Sequence, residues 1–321
     1  MRYRTLGVTG IRVSEIGFGA WGIGGNTAGA LAYGPTDDEA SRRAVRGAFE
    51  SGINFFDTAD FYGFGHSETV LGNALRDVRS DAVIATKAGM LSASGEQDFS
   101  PEHLLRSLDR SLARLGTDYV DLFQLHSPPI DLLLRDDRIV DTLERLRRKG
   151  RIRAYGISAR SPEDALIAVT VLGFRCVQVN FNLLDQRAME NGLFELCQRE
   201  GAGIIGRTPL CFGFLTGRYS AAAQFDSDDH RSRWSPEQRE RWANALGLFL
   251  AMVKNCAEQT PAQFALRFCL SFAALSTVIP GMLTEEHVRE NALASALGTL
   301  PDVERAAIVE VYRRNRFFVE R

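Results

Sequence analysis

INFFDTADFYG, residues 53–63, is the stretch that decides the fold, because it joins a short apolar run to an aspartate and a tight polar turn. Its apolar part, 53–59, has seven counterparts of similar length along the chain. They lie at 14–20, 82–88, 119–126, 152–158, 174–181, 202–208 and 275–281. All eight are continuous apolar runs rather than clean alternations, as strands covered on both faces should be.

Segments of helical length separate the eight runs. Three of them begin with a capping residue followed by proline, at Ser100-Pro101, Ser161-Pro162 and Thr260-Pro261. Proline is tolerated at the first helical position, where its missing N–H costs nothing. A helix after every strand implies parallel crossover connections. Eight such units predict an α/β fold, the (β/α)8 or TIM barrel.

The remaining segments complete the predicted architecture. Thr9-Gly10 lies between two short extended runs, which predicts a β-hairpin below the barrel. The stretch 209–234 predicts a long βα loop of the kind that binds ligands. No linker or shift of composition divides the chain, so we expect a single domain over residues 1–321.

The composition excludes several classes of protein. The 321 residues include 38 Lys and Arg against 40 Asp and Glu, so no basic surface is expected for nucleic acid. The apolar runs fall short of the ~20 residues of a membrane span, and the N-terminus lacks the apolar stretch of a secretory signal. The five cysteines show no CxxC spacing, which argues against a disulfide framework or a zinc site. We therefore expect a soluble, cytoplasmic protein that acts on a small molecule.

Three consecutive predicted strands carry a titratable residue near the carboxyl end, namely Asp57, Lys87 and His126, and Tyr62 follows in the loop after the first of them. Barrel active sites are built at that end, and consecutive strands are neighbours, so the four side chains should converge. Taken singly, each has a structural explanation, such as a core ion pair, a strand-end cap or a buried histidine. Their combination predicts a catalytic site.

This group suits proton transfer. An ammonium beside a phenol favours the phenolate, so Lys87 should make Tyr62 a better proton donor. Asp57 would keep the lysine charged, and His126 would orient a carbonyl oxygen by a hydrogen bond. The four side chains contain no hydride donor. A reduction at this site therefore requires a nicotinamide cofactor.

The motifs FFDTADFYG (55–63), ATKAG (85–89) and QLH (124–126) resemble the signatures of the aldo-keto reductase family, and the resemblance runs over nearly the whole chain. It implies a (β/α)8 barrel that binds NAD(P)H without a Rossmann domain. It also implies that Tyr62 is the general acid/base, that Lys87 and Asp57 tune it, and that His126 positions the substrate carbonyl.

The resemblance also implies a set of cofactor-binding residues. Gln178 and Ser158 match residues that hold the nicotinamide carboxamide, although Ala159 stands where the family usually has asparagine. Arg207 matches a planar side chain that stacks on the nicotinamide. The loop 213–218 matches a pyrophosphate-binding loop. The expected set is Trp21, Ser158, Gln178, Arg207, Leu210, Gly213, Leu215, Thr216, Gly217, Arg218, Gly281, His287, Glu290 and Asn291, the last two at the adenine.

The choice between NADP and NAD rests on one departure from the family. Relatives that prefer NADPH place a basic residue just after the eighth strand, to meet the 2′-phosphate. Here Gly281, Met282 and Leu283 follow that strand, His287 replaces a frequent arginine, and only Arg289 is near. A phosphate without such a partner loses charge-assisted hydrogen bonds. NADP is the family expectation, and NAD stays open.

Three functions remain on the sequence alone. The first is NAD(P)H-dependent reduction of an aldehyde, ketone or keto-sugar, and the second is NAD-dependent oxidation of a sugar or alcohol at the same site. The third is a regulatory subunit that binds the cofactor without turnover. Dinucleotide binding through a Rossmann fold is not predicted. GFGAWG (17–22) satisfies the GxGxxG pattern, but no helix begins there, as the Rossmann fingerprint requires. The substrate and the oligomeric state are not predicted.

Overall fold

The computed structural model describes residues 1–26, 30, 32–251 and 259–319. Two antiparallel strands, β1 (Tyr3–Thr5) and β2 (Arg12–Ser14), form an N-terminal hairpin. The barrel strands are β3 (Phe18–Gly19), β4 (Phe55–Asp57), β5 (Val83–Ala88), β6 (Val120–His126), β7 (Ile152–Ser158), β8 (Cys176–Asn180), β9 (Gly203–Arg207) and β10 (Leu275–Ile279). The described helices are α1 (Asp38–Glu50), α2 (His66–Leu75), α3 (Pro101–Leu115), α4 (Ile130–Arg135), α5 (Arg138–Arg148), α6 (Pro162–Thr170), α7 (Arg187–Glu190), α8 (Leu193–Glu200), α9 (Pro236–Leu250), α10 (Pro261–Leu270), α11 (Glu285–Leu297) and α12 (Asp302–Arg314).

The eight barrel strands lie side by side in chain order, and all their pairings are parallel. The ring closes between β3 and β10. There Gly17 N donates to Val278 O at 2.8 Å, and Gly19 N donates to Pro280 O at 2.9 Å. The predicted (β/α)8 barrel with an N-terminal hairpin is confirmed.

The first barrel strand is shorter than the sequence predicts. The apolar run 14–20 predicts one strand, but the regular strand covers only Phe18–Gly19, and Ile16 adds an isolated bridge to Val278 on β10. Ser14 pairs instead with Tyr3 in the hairpin. Three residues separate the two strands, and hydrophobic pattern alone does not divide so short a run into two elements.

Three predicted helix starts are confirmed. Ser100, Ser161 and Thr260 each accept a hydrogen bond from the backbone N–H three residues on, and proline follows each of them. At α10 the cap is reciprocal, because Gln263 Oε1 accepts from Thr260 N at 3.0 Å. These caps satisfy donors at the helix start that would otherwise be unpaired.

Two apolar clusters make up the core. The larger lies between the strands and the surrounding helices. The smaller fills the bottom of the barrel, where the hairpin packs against inward-facing strand residues. Its members are Leu6, Ile11, Val13, Phe55, Val83, Ala85, Leu122, Ala154, Cys176, Ile205 and Ile279. The hairpin therefore plugs the lower end of the barrel, and the upper end is left for a ligand. No helix in the described ranges has the length and apolarity needed to span a membrane.

Arg4 on β1 anchors the hairpin to the barrel. Its guanidinium donates to three backbone carbonyls around β10, those of Leu270 (2.7 Å), Phe272 (3.0 Å) and Leu275 (2.8 Å). It also lies 2.9 Å from Glu15 Oε2, a carboxylate that is almost fully buried. The anchor is thus a charged group whose loss would leave a buried carboxylate unpaired.

We predict that Arg4→Ala lowers the free energy of unfolding by about 3 kcal/mol, because an unpaired buried charge is costly. Urea unfolding measures this. Arg135→Ala is the control, because that side chain is 81% exposed and lies 3.9 Å from Asp131. Its effect should stay within about 0.5 kcal/mol. Equal losses in the two variants would contradict the anchoring role of Arg4.

Candidate active site

The four predicted catalytic residues meet at the upper end of the barrel. Asp57 ends β4, Lys87 is the penultimate residue of β5, and His126 ends β6. Tyr62 begins a 3-10 turn directly after β4. That turn bends sharply, with left-handed backbone at Gly63 (φ 59°) and Phe64 (φ 50°). The bend brings the tyrosine back over the strand ends.

Lys87 is the centre of the group. Its side chain is fully buried, and Nζ donates to Asp57 Oδ1, to Thr58 O at 2.9 Å and to Tyr62 Oη at 3.2 Å. Burial by itself would lower the pKa of this lysine, but the charge of Asp57 and the contact with Tyr62 outweigh it and raise the pKa. The amine is therefore an ammonium at neutral pH, in contact with the phenol.

Asp57 is held by two amides as well as by Lys87. Its Oδ2 accepts from Gln178 Nε2 at 2.8 Å and from Gln124 Nε2 at 3.1 Å. Gln124 is a site residue that the sequence analysis missed. It lies two residues before His126, on the same face of β6, so the two-residue period of a strand would have identified it.

His126 stands edge-on to Tyr62, with ring centroids 5.7 Å apart. Burial, followed by the charges of Lys87 and Arg207, lowers the pKa of His126 well below its usual value, so the imidazole is neutral. Its Nδ1 is buried and has no hydrogen-bond partner among the described residues. A neutral imidazole keeps one N–H donor, which suits a carbonyl oxygen placed beside the tyrosine.

A cavity of about 520 Å³ opens above these residues. Thirteen of the predicted residues line it. They are Trp21, Asp57, Tyr62, Gln178, Arg207, Leu210, Gly213, Thr216, Arg218, Gly281, His287, Glu290 and Asn291. Several lining residues were not predicted, among them Tyr33, Asn180, Thr208, Tyr219 and Arg231. Asn180 lies two residues after Gln178 on β8, so strand periodicity would have found it too.

Three predicted cofactor residues do not line the cavity. The Leu215 side chain is fully buried in the larger apolar core, which leaves its backbone as the part of this residue available to a ligand. A Cβ at Gly217 would face Leu246 and Pro261, at 3.4 Å each, and not the cavity. Ser158 is fully buried behind the wall, where its Oγ donates to Gln178 Oε1 at 3.3 Å.

Arg207 is fixed by neutral acceptors. Its Nε donates to Asn180 Oδ1 (2.9 Å), Nη1 to Ser158 Oγ (3.0 Å) and Nη2 to the Ala159 carbonyl (2.8 Å). The guanidinium therefore lies beside Ala159, the position at which the family asparagine is missing. Removal from water lowers the pKa of Arg207, although nearby Tyr62 opposes this.

Arg218 is already engaged by acidic neighbours on α11. Its Nη2 lies 3.5 Å from Glu290 Oε2 and 3.7 Å from Glu286 Oε1, and its Nη1 lies 3.0 Å from His287 Nε2. Burial and the charge of Arg218 lower the pKa of His287, so this ring adds no positive charge at neutral pH. This end of the cavity thus offers one arginine and two carboxylates.

Two loops roof the cavity. The segment around Tyr33 pairs with the segment after β9, where His230 N donates to Ala32 O at 2.8 Å. Arg231 lies over the Tyr33 ring (4.8 Å) and the Tyr219 ring (4.7 Å) and forms an ion pair with Asp229. Nothing in the sequence pairs residues 200 positions apart on two loops, so this roof could not be predicted.

The residues present fit a nicotinamide dinucleotide. The lining of the cavity includes two amides (Gln178 on β8 and Asn291 on α11) and an arginine in contact with α11 (Arg218). Along one wall a Cβ at Gly281 would meet nothing within 4 Å, so the bare backbone faces open space. Amides, an arginine and exposed backbone are the donors that a carboxamide, phosphates and an adenine require.

Asp60 supports the turn that carries Tyr62. Its N donates to Lys87 O at 3.1 Å, and its Oδ2 accepts from Ser107 Oγ at 2.9 Å. Its Oδ1 is buried with no partner among the described residues. Burial, and then the charge of Glu68, raises the pKa of Asp60 to about 7.

We predict that Asp60→Asn changes the pH dependence of stability. The folded state holds the Asp60 proton between the ordinary pKa of 3.8 and about 7, so the stability of the parent protein falls as the pH rises through that window. Relative to Asp60→Asn, the parent should lose about 2–3 kcal/mol between pH 5 and pH 8, measured by urea unfolding. If the free energies of unfolding of the two proteins differ by the same amount at pH 5 and at pH 8, the titration of Asp60 in this window is refuted.

Residues 15–313 match the family model described as Aldo/keto reductase family. The chain is 31% identical over 326 residues to an L-galactose dehydrogenase from Arabidopsis thaliana, covering 96% of this chain and 94% of that protein. It is 31% identical over 313 residues to an NADH-specific methylglyoxal reductase from Escherichia coli, with 92% and 93% covered. The holo form of aldo-keto reductase AKR11C1 from Bacillus halodurans is similar in structure, with a TM-score of 0.80, 29% identity and coverage of 97% and 96%.

Proposed function

The chain belongs to the aldo/keto reductase family and is an oxidoreductase of that family, and on this premise we propose that it reduces carbonyl compounds with a nicotinamide cofactor, with Tyr62 as the proton donor. The observation that carries the proposal is the contact of Lys87 Nζ with both Tyr62 Oη (3.2 Å) and Asp57. A phenol in contact with a fixed ammonium is a group prepared to release a proton.

In the proposed reaction, a reduced nicotinamide bound in this cavity would supply the hydride that the carbonyl carbon receives. Tyr62 gives its hydroxyl proton to the carbonyl oxygen as negative charge develops there, and the ammonium of Lys87 stabilises the phenolate that remains. His126 holds the carbonyl oxygen through a neutral N–H. Asp57 keeps the lysine in place, and solvent returns the proton to Tyr62.

The same proposal assigns the residues that would hold the cofactor. At the catalytic end, Gln178 would meet the nicotinamide carboxamide, and Arg207 would stack on the nicotinamide ring. Arg218 and the backbone of the loop after β9 would meet the pyrophosphate. Glu290 and Asn291 on α11 would meet the adenine. Each of the five side chains lines the cavity, which supports this assignment.

An aldehyde, a ketone or a keto-sugar is the proposed substrate class. The cavity wall beside Tyr62 combines aromatic rings (Trp21 and Tyr33) with polar groups (Asn180 and Thr208). That mixture suits a small ligand with both a carbonyl and hydroxyl groups. The methylglyoxal reductase relative acts on a small carbonyl compound according to its name.

We predict that Tyr62→Phe lowers turnover of a carbonyl panel by at least about a hundredfold, because it removes the proton donor. The affinity for the reduced cofactor, measured by fluorescence, should change little. Tyr119→Phe is the matched control. It removes a hydroxyl just before β6, at the other end of the barrel, and should leave turnover unchanged. Full activity in Tyr62→Phe would refute the assignment, and tight cofactor binding without any turnover by the parent protein would favour a regulatory subunit.

Between the two cofactors, we favour NADH over the NADP(H) expected from the family. Arg218 is the cation that lines this end of the cavity, and Glu286 and Glu290 lie within 3.7 Å of it. A 2′-phosphate would have to approach those two carboxylates. Met282 is fully buried and His287 is neutral, so neither offers a positive charge. Arg289 is exposed and is not among the residues that line the cavity.

We predict that the protein binds NADH at least about tenfold more tightly than NADPH, since the phosphate gains no charge-assisted partner. Glu286→Gln should reduce the preference for NADH over NADPH, because it removes one of the two carboxylates beside Arg218. Glu285→Gln is the control, because that side chain lies 4.0 Å from Arg43, away from Arg218. Fluorescence titration of the three proteins with NADH and NADPH gives the six affinities. Tighter binding of NADPH by the parent protein would contradict the proposal and restore the family expectation.

A further inference from the structure

The catalytic end of the cavity carries an excess of positive charge. We define its floor as three lining residues, Asp57, Tyr62 and Arg207, together with Lys87 and His126, which lie behind the lining against Tyr62. Lys87 and Arg207 are cations, Asp57 is the single carboxylate, and His126 is neutral. The ion pair of Lys87 with Asp57 cancels one positive charge and leaves that of Arg207.

The charge of Arg207 has no carboxylate partner. All three of its nitrogens donate to neutral oxygens, on Asn180, Ser158 and Ala159. Among the described residues, no carboxylate oxygen lies within 4.0 Å of the guanidinium. The nearby Asp185 is already paired with Arg187, at 2.7 Å. Arginine does not release its proton in proteins, so the charge persists at every working pH.

The three neutral oxygens that accept from this guanidinium hold it in place, but they carry no net charge and do not neutralise it. The side chain is partly buried and lines the cavity together with Tyr62 and Gln178. A cavity wall of low polarity screens charge less than water does. A ligand at this end therefore experiences a net positive potential, and it is repelled or attracted according to its own charge.

Resting on the proposed function, we infer that the unpaired guanidinium of Arg207 makes the protein discriminate between the two redox states of its cofactor. The oxidised nicotinamide ring carries a positive charge and the reduced ring carries none. Repulsion by Arg207 therefore acts on the oxidised form alone. The reduced cofactor binds more tightly than the oxidised one, and the difference is set by a side chain that takes no part in proton transfer.

This discrimination has two consequences for turnover. In carbonyl reduction, the oxidised cofactor is a product, so its weaker binding speeds its release. In the opposite direction, the bound couple favours the reduced form, which eases removal of hydride from an alcohol. Arg207 thus affects cofactor binding and hydride transfer in both directions, whereas Lys87 affects proton transfer by Tyr62.

The test is the ratio of the dissociation constants of NAD⁺ and NADH, measured by fluorescence, with NADP⁺ and NADPH in parallel. In the parent protein the dissociation constant of NAD⁺ divided by that of NADH should be well above one. In Arg207→Gln this ratio should fall by at least about tenfold, because a unit charge beside the nicotinamide is removed, and at an effective dielectric constant of about 20 the Coulomb energy at that range exceeds the energy of a tenfold change in an equilibrium constant. Arg207→Lys, which keeps the charge, should retain most of the parent ratio.

A second variant keeps the test decisive if Arg207→Gln does not fold. Asn180→Asp places a carboxylate where Asn180 Oδ1 now accepts from Arg207 at 2.9 Å. It neutralises the charge without removing the arginine, and it should lower the ratio as Arg207→Gln does. An unchanged ratio in a folded Arg207→Gln or Asn180→Asp protein would overturn the inference alone. Failure of the parent protein to bind any of the four nucleotides would overturn the proposed function as well.

Discussion

A charged amine inside a closed ring of strands persists only with a carboxylate beside it, and the site is organised around that requirement. Lys87 is fully buried, and Asp57 holds its charge. Gln124 and Gln178 fix the second oxygen of Asp57, so three strands converge on one carboxylate. The position of Tyr62 follows from its contact with the same ammonium.

The site divides into a rigid floor and a roof of loops. Four of the five floor residues lie at or next to strand ends, where pairing with both neighbours fixes the backbone, and Tyr62 lies in the turn after β4. The roof depends on side chains from distant loops, such as Arg231 over Tyr33 and Tyr219. Proton transfer demands short and constant distances, which the contact with the strand residue Lys87 provides for Tyr62, whereas ligand selection can be left to loops that vary.

Much of this could be read from the sequence. The eight barrel strands and the convergence of Asp57, Lys87 and His126 follow from buried runs that end in a titratable residue. Gln124 and Asn180 were missed, although the strand period would have found them. The contacts of Arg218 with Glu286 and Glu290 could not be foreseen, because they depend on how α11 docks against a distant loop.

The position of Leu215 shows a different limit of prediction from the sequence. A loop motif identifies a backbone path, but it does not say which side chains face the ligand and which face the core. Leu215 matches the motif and is buried in the apolar core. The guanidinium beside Ala159 is the converse case. The motif around Ala159 lacks the family asparagine, but Arg207 on β9, which is separated from β7 by β8, donates to the Ala159 carbonyl.

The raised pKa of Lys87 has a chemical consequence beyond catalysis. An amine condenses with an aldehyde or ketone only through its free lone pair, and a protonated amine is not a nucleophile. Lys87 is fully buried and does not line the cavity, so a reactive carbonyl compound that enters meets Tyr62 and Asp57 first. Behind them the amine is protonated, and all three of its N–H groups are already engaged. The barrel thereby protects its own lysine from covalent modification by the molecules it handles.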